Sequence, residues 1–318
     1  MPPKARAKAH KPAVIAVANQ KGGVAKTTSV ASLGAAFAEL GKRVLLVDLD
    51  AQACLTFSLG VDPDAVEDSI HDVLLGQAEL ADVIVECEDG VDLVPSSIDL
   101  AGTEAALLGR PAREYVLQQV LEGVSTDYDV VLLDCSPSLG VLTLNALTAA
   151  SGLIIPMPAE MLGHRGVGQL LDTVKDVKKF LNKRLTVLGV LPTLYDGRSN
   201  HAREVLADVG ERYGLTVLEP PIPKTVRFAE APAVLSRRRE GFVAAPVTTV
   251  APVVGWAVCR TPPKPSLSPL PVRRFAPSRS SVAICATTTC SSTSPSRASA
   301  TATSTPCVTS GVPRTTRS

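Results

Sequence analysis

Residues 13 to 28 combine three things in a fixed order: an apolar, β-branched run (Ala13 to Ala18), a glycine turn, and the start of a helix-forming run that continues from Ser29 to Leu40. The turn reads Lys21-Gly22-Gly23-Val24-Ala25-Lys26-Thr27-Thr28. Strand, glycine loop and helix in direct succession is the context a phosphate-binding loop requires. Gly22 and Gly23 carry no Cβ, so the backbone can turn sharply and aim successive N–H groups at phosphate oxygens. The helix that follows adds unpaired N–H groups and a partial positive charge, which favour an anion. Lys26 can then reach terminal phosphates, and the Thr27 hydroxyl can join a magnesium shell. The whole stretch from Lys21 to Thr28 is the candidate nucleotide-binding segment.

Acidic residues are spaced to serve the same place. The apolar run Arg43 to Asp50 suits a strand buried on both faces of a parallel sheet, and Asp48 and Asp50 close it at its carboxyl end. Carboxylates there are costly unless they bind metal, water or a cation; capping the strand is the plainer alternative. Asp129 to Asp134 (DVVLLD) has the form of a Walker B strand, whose final Asp134 would hold magnesium through water.

Further strands are expected at Val91 to Ser97, Gly152 to Pro158, Leu185 to Thr193 and, briefly, Thr216 to Pro223. Helical patterns lie between them: Ala53 to Gly60, Asp62 to Ala81, Ala105 to Leu108, Tyr115 to Gly123, a helix through Leu181 after a loop at Gly163 to Gly168, and Ala202 to Tyr213. Strands alternating with helices predict an α/β fold, a mostly parallel sheet covered by helices on both faces, in the architecture of a P-loop NTPase.

The common loop pattern G-x-x-x-x-G-K-[ST] fails here, because Gln20 and Ala25 occupy its glycine positions. What matches is K-G-G-x-x-K-[ST], which resembles the deviant Walker A motif of the ParA/MinD group of P-loop ATPases. The resemblance implies ATP and Mg2+ as ligands, Lys26 acting in cis, and Lys21 reaching in trans to the partner's ATP in a nucleotide-sandwiched homodimer. Many relatives carry glycine where this chain has Ala25, so the loop backbone there is expected to tolerate a Cβ. Asp48-Leu49-Asp50-Ala51-Gln52 is similar to the group's D-x-D-P-Q, with Ala51 in place of proline. It implies that Asp50 positions the attacking water and Asp48 supports the metal shell beside Thr27 and Asp134. Asp134-Cys135-Ser136-Pro137 matches the D-x-x-P that ParA proteins carry.

The segments ACLTFSLG, Tyr195 to Arg198 and Ile222 to Pro232 (IPKTVRFAEAP) also resemble ParA partition proteins, so that the likeness runs from about Ala13 to Pro232. It places Arg198, Lys224 and Arg227 on a DNA-facing surface, against the alternative of ordinary loop charges. The implied function is an ATPase of weak intrinsic rate whose ATP-bound dimer binds DNA non-specifically. A ParB-type centromere-binding partner would trigger its hydrolysis, in a cytoplasmic, nucleoid-associated setting.

Charge divides the chain. Residues 1–230 hold 21 Lys+Arg against 30 Asp+Glu, and residues 231–318 hold 11 against 1. Residues 1–12 are expected to be a disordered basic tail, 13–232 the ATPase domain, and 233–318 a disordered segment rich in Pro, Ser, Thr and Arg. The abrupt change after Pro232 suggests a shifted reading frame, which a gene sequence with no alternative frame encoding a helical ending would refute. An authentic basic tail that binds nucleic acid through charge is the other reading. Loss of the family's last helices would leave apolar core surface uncovered.

Seven cysteines without C-x-x-C spacing argue against a disulfide framework or zinc site. No apolar run is long enough to span a membrane. A MinD-like membrane-associated cell-division ATPase would need a C-terminal amphipathic basic helix that the tail lacks. An iron–sulfur reductase would need paired cysteines, and a metabolic ligase a substrate pocket. An inactive, frame-disrupted partition ATPase stays open.

Overall fold

The computed structural model describes residues 11–87, 90–124, 126–159 and 163–224, with the short antiparallel pair Val258–Cys259 and Ala283–Ile284. Arg227, most of the basic N-terminal segment and nearly all of residues 233–318 lie outside the described residues.

Seven strands form one sheet: β1 (Ala13–Val17), β2 (Val44–Leu49), β3 (Val85–Glu86), β4 (Asp92–Val94), β5 (Val130–Cys135), β6 (Gly152–Pro158) and β7 (Thr186–Thr193). Their order is β3-β4-β2-β5-β1-β6-β7, and every neighbouring pair is parallel except β3 with β4. Parallel strands require crossover connections, and helices supply them: α1 (Lys26–Glu39), α2 (Cys54–Ser58), α3 (Ile70–Leu75), α4 (Leu100–Leu108), α5 (Val116–Glu122), α6 (Val141–Ala149) and α7 (Gly163–Phe180), with α8 (Asn200–Tyr213) following β7.

Alternate strand residues point to opposite faces, so the continuous apolar runs feed two cores. On one face Ile15, Val17, Leu46 and Leu132 pack with Val30, Leu33 and Phe37 of α1 and with Leu218 and Ile222. On the other, Ala16, Val47, Leu133 and Ile155 pack with Ile70, Leu107, Leu117, Ala146, Leu170 and Val209 from the remaining long helices. Gly34 matters to the first core. A Cβ there would meet the Leu46 Cδ2 atom at 2.8 Å, so glycine lets α1 lie close against β2 and fixes where its N-terminus stands.

Several expectations are corrected. Asp62 to Ala81 is not one helix: the Asp62 Oδ1 atom accepts from the Asp64 N–H at 3.1 Å, closing a turn beside Pro63. The helix begins only after Ser69, where Ser69 and Asp72 form a capping box, and it stops at Gly76 in a left-handed conformation. The segment from Gly163 to Gly168 is already the first turns of α7 rather than a loop. Thr216 to Pro223 forms no continuous strand and touches the β7 edge only through the bridges Val190–Val217 and Tyr195–Pro223. Helix α6 and the antiparallel edge strand β3 carried no signal that had been read from the sequence. Among the described residues, the large apolar side chains left exposed are Phe57, Ile98, Leu108, Phe180 and Leu194, none of them in a strand of the sheet.

Candidate nucleotide site

The strand order places β1 between β5 and β6, with β2 beyond β5, so the chain leaves β1 in one direction for β2 and β5 and later crosses to the other side for β6 and β7. A crevice forms at the carboxyl ends of strands where such a reversal occurs. Everything that follows gathers there.

The segment after β1 is held from behind. The Asn19 side chain, 2% exposed, donates from Nδ2 to the Pro156 carbonyl of β6 at 2.7 Å, and its Oδ1 accepts from the Lys21 N–H at 3.0 Å. The Thr193 hydroxyl at the end of β7 donates to the Val24 carbonyl at 2.9 Å. Lys26, the first residue of α1, folds back so that its Nζ lies 3.4 Å from the Lys21 carbonyl. Ser29 Oγ closes the first helical turn on the Ala25 carbonyl at 2.7 Å. Gly23 has φ +70°, and a Cβ added at Gly22 or Gly23 would meet no atom within 4 Å. Among the described residues nothing packs against the open side of Gly22, so a ligand could approach its backbone closely.

Ala25 overturns the expectation of a tolerant backbone. Its φ of 60° and ψ of 39° are left-handed, a conformation that costs a residue with a Cβ about 1–2 kcal/mol. Ala53, before α2, repeats this with φ 50°. Two alanines thus stand where glycine would be unstrained, each at the N-terminus of a helix bordering the crevice.

The acids differ sharply in their surroundings. Asp48 and Asp134 are register partners on β2 and β5, and Asp134 also stands beside Val17 of β1. Asp48 is fully buried and fully engaged: Oδ2 accepts from the Thr56 N–H at 2.9 Å and the Thr56 hydroxyl at 2.8 Å, and Oδ1 accepts from the Asp50 N–H at 3.1 Å. It caps the N-terminus of α2 from the neighbouring strand. Burial, outweighing those donors, pushes its pKa up to about 6. Asp134 is 1% exposed, and neither of its oxygens makes a hydrogen bond in the protein. Its pKa is raised well above the ordinary carboxylate value, by burial first and then by Asp48; the nearby Thr27 hydroxyl and Lys26 ammonium favour its charged form without satisfying it. Burial likewise lowers the Lys26 pKa, against the pull of Asp134 and Asp50. Asp50 is half-buried, and its Oδ1 accepts from the Gln52 N–H at 3.0 Å.

A buried carboxylate whose oxygens make no hydrogen bond of ordinary geometry, with the Thr27 hydroxyl and the Lys26 ammonium nearby, suits a hydrated divalent cation that accompanies phosphate. The residues therefore fit magnesium: Thr27 and Asp134 would hold it, and Asp48 would orient the backbone at Asp50 and Thr56. The basic candidates lie elsewhere. Arg198 and Lys224 are exposed on the loops beyond β7.

Residues 12–187 match a family described as the AAA domain. The sporulation initiation inhibitor protein Soj of Bacillus subtilis is 43% identical over 221 residues, covering 69% of this chain and 87% of that protein. The chromosome partitioning protein ParA of Caulobacter vibrioides is 41% identical over 223 residues, covering 69% and 84%. The chain belongs to the ParA family of P-loop ATPases. Among solved structures, a Mycobacterium smegmatis protein described as cobyrinic acid a,c-diamide synthase, with bound ADP and magnesium, is 53% identical with a TM-score of 0.68 over 76% of this chain and 94% of that one.

For this ParA family member, sequence reading found the loop and the acids but missed what supports them. Asn19, Thr193, Thr56 and Ser96 carry the site's scaffold. Ser96 donates from its N–H to the Thr56 Oγ1 atom at 2.9 Å and from Oγ to the Asp50 carbonyl at 2.8 Å, so β4 also grips the acidic turn. A polar residue shortly after an apolar strand, as at Asn19 and Ser96, does not stand out from ordinary loop residues in the sequence.

Proposed function

We propose that this chain is an ATP-driven DNA-partition switch, and the observation that carries the ATP half of that reading is Asp134, a buried carboxylate left without a donor beneath the glycine turn. The loop N–H groups from Lys21 to Thr28 and the start of α1 take the phosphates, and Lys26 neutralises the terminal one. Magnesium, when bound, draws charge off the β- and γ-phosphate oxygens. Asp50 uses its Oδ2 to orient and accept a proton from the attacking water, its Oδ1 being held by the Gln52 N–H. Asp48 keeps Asp50 and α2 in place. Lys21 completes the site of a second copy across the nucleotide.

Family membership supports the DNA half. The ATP-bound dimer presents Arg198, Lys224 and Arg227 to DNA phosphates, and a ParB-type partner triggers hydrolysis and release. Loss of the γ-phosphate removes the contacts that hold the dimer, an order-to-disorder switch.

The test is DNA binding at fixed salt by the wild type, Lys21→Ala and a version ending at Pro232. ATP-dependent binding by the wild type but not by Lys21→Ala is the expected result. Binding that ignores ATP and disappears with the segment after Pro232 would mean that the basic tail alone holds DNA and the core is not a working switch. The 53% identity to the Mycobacterium smegmatis protein motivates a second reading, in which the γ-phosphate passes to a substrate carboxylate rather than to water. ATP-dependent amidation of cobyrinic acid by this chain, without ATP-dependent DNA binding, would establish that reading instead.

A further inference from the structure

The loops that carry Arg198 and Lys224 follow a strand whose last residue is hydrogen-bonded to the phosphate loop. The Thr193 side chain is fully buried, and its hydroxyl donates to the carbonyl of Val24, 169 residues away in the chain. Two residues later the Tyr195 N–H donates to the Ile222 carbonyl at 3.0 Å, and the Tyr195 carbonyl accepts from the Lys224 N–H at 3.1 Å. Beyond Tyr195, the Asp196 Oδ1 atom accepts from the Arg198 N–H at 3.1 Å, and Ser199 caps α8. Both basic residues therefore hang from Tyr195, and Tyr195 hangs from the residue that grips the loop.

Between the two stands Leu194. It has φ 50°, in the left-handed region that a leucine disfavours, and its side chain is 37% exposed. Such a conformation persists only where the neighbours on both sides impose it, and residues of this kind concentrate at hinges and switch regions. Here Thr193 is anchored on one side and Tyr195 on the other, so a movement of the Val24 carbonyl is delivered to a strained joint rather than absorbed by a slack loop.

We propose that Thr193 is the positioning residue through which the state of the phosphate loop sets the place of Arg198 and Lys224, with Leu194 as the hinge. The proposal deepens the partition-switch reading and rests on it for the DNA readout. Phosphates drawn onto the loop N–H groups reorient the peptide planes around Val24 and Ala25. The Thr193 hydroxyl follows the Val24 carbonyl, Leu194 swings, and the pair of loops bonded through Tyr195 moves as one piece.

The experiment compares full-length wild type, Thr193→Val, Thr193→Ser and Leu194→Gly at saturating ATP. It measures the gain in DNA affinity on adding ATP, and hydrogen exchange of the amides at 195–198 and of the Lys224 amide with and without ATP. Coupling between two sites of this kind amounts to about 5–150-fold in affinity. Thr193→Val is expected to lose at least about fivefold of the ATP-dependent gain, and Thr193→Ser, which keeps the hydroxyl, to restore it. Leu194→Gly should keep ATP affinity unchanged while weakening the gain, because a relaxed joint transmits less.

Exchange at the Tyr195 loop should respond to ATP in the wild type and the serine variant but not in the valine variant. A valine variant with the full gain and the full exchange response overturns the proposal. If Thr193→Val does not fold, Leu194→Gly decides it alone, and an undiminished gain there overturns it. A wild type without ATP-dependent DNA binding defeats the partition reading, and the exchange response then still supports or overturns the hinge.

Discussion

Two aspartates at opposite ends of β5 have opposite fates. Asp129, just before the strand, sits at the rim and is paired: Arg43 donates its backbone N–H to Oδ2 at 3.0 Å and Nη2 to Oδ1 at 3.0 Å. Partial burial pushes the Asp129 pKa up, but the Arg43 hydrogen bonds win and it falls below the usual carboxylate range. Asp134, at the other end, is buried with no hydrogen bond, and its pKa rises. The chain can satisfy a carboxylate on this strand, and at Asp134 it does not. One edge of the sheet pairs its carboxylate; the other buries a carboxylate without such a partner.

The strongest way to break this contrast is Asp134→Asn. Magnesium-dependent ATP hydrolysis should fall by about a hundredfold or more, while the ligand-free protein melts higher because a buried, unpaired carboxylate costs about 1–3 kcal/mol. Phosphate release and a thermal melt check the two halves, and a lower melting temperature would show that Asp134 is not strained.

Next in size is the pH dependence at Asp48. Its folded pKa of about 6 lies above the unfolded value near 4, so the folded state binds the extra proton. That contribution is complete below the unfolded pKa and is lost as pH rises through about 6. Relative to Asp48→Asn, the wild type should lose up to about 3 kcal/mol between pH 4 and pH 7 in chemical denaturation. A flat difference would mean that Asp48 is not the titrating group.

Asp129→Asn probes the rim. The pair is partly exposed, so its loss should cost only about 0.5–1 kcal/mol and leave nucleotide binding untouched. The sign is opposite to that at Asp48: with the folded pKa depressed, the contribution is present above the unfolded value and disappears as pH falls through the folded one. The smallest effect belongs to Ala25→Gly. Relief of the left-handed backbone, partly offset by glycine's greater freedom in the unfolded chain, should raise stability by about 0.5 kcal/mol. An unchanged or lower melting temperature would indicate that the loop relaxes out of that conformation in solution.

How much of this was legible beforehand follows from the kind of pattern involved. Buried parallel strands write themselves as unbroken apolar runs, so β2, β5, β6 and β7 were found with their ends nearly right, and the glycine loop announces itself by composition. The Asp62 to Ala81 helix does not form as one piece because Pro63 and the Asx turn that Asp62 makes precede a helix that starts only after Ser69. Edge strand β3, two residues long, is too short for any period to show. At the site, Lys26, Asp50 and Asp134 stood in recognisable spacings. Asn19 and Thr193 did not, because each acts through one hydrogen bond to a carbonyl 137 or 169 positions away, and a lone Asn or Thr at a strand end has no spacing to betray it. Asp48 was noticed, but not that Thr56 and Asp50 consume its oxygens, since that depends on how α2 is docked.

The Thr193 bond also has a meaning in time. A ribosome delivers the chain from the amino end at about 5–20 residues per second, so the glycine loop emerges before the residues that clamp it. Its clamps come much later: Pro156 receives Asn19, and Thr193 grips Val24 only after most of the ATPase region has been made. A nascent chain thus displays its phosphate-binding residues for many seconds before the frame that holds them exists. The two hydrogen bonds that steady the loop can therefore form only once β6 and β7 have been made.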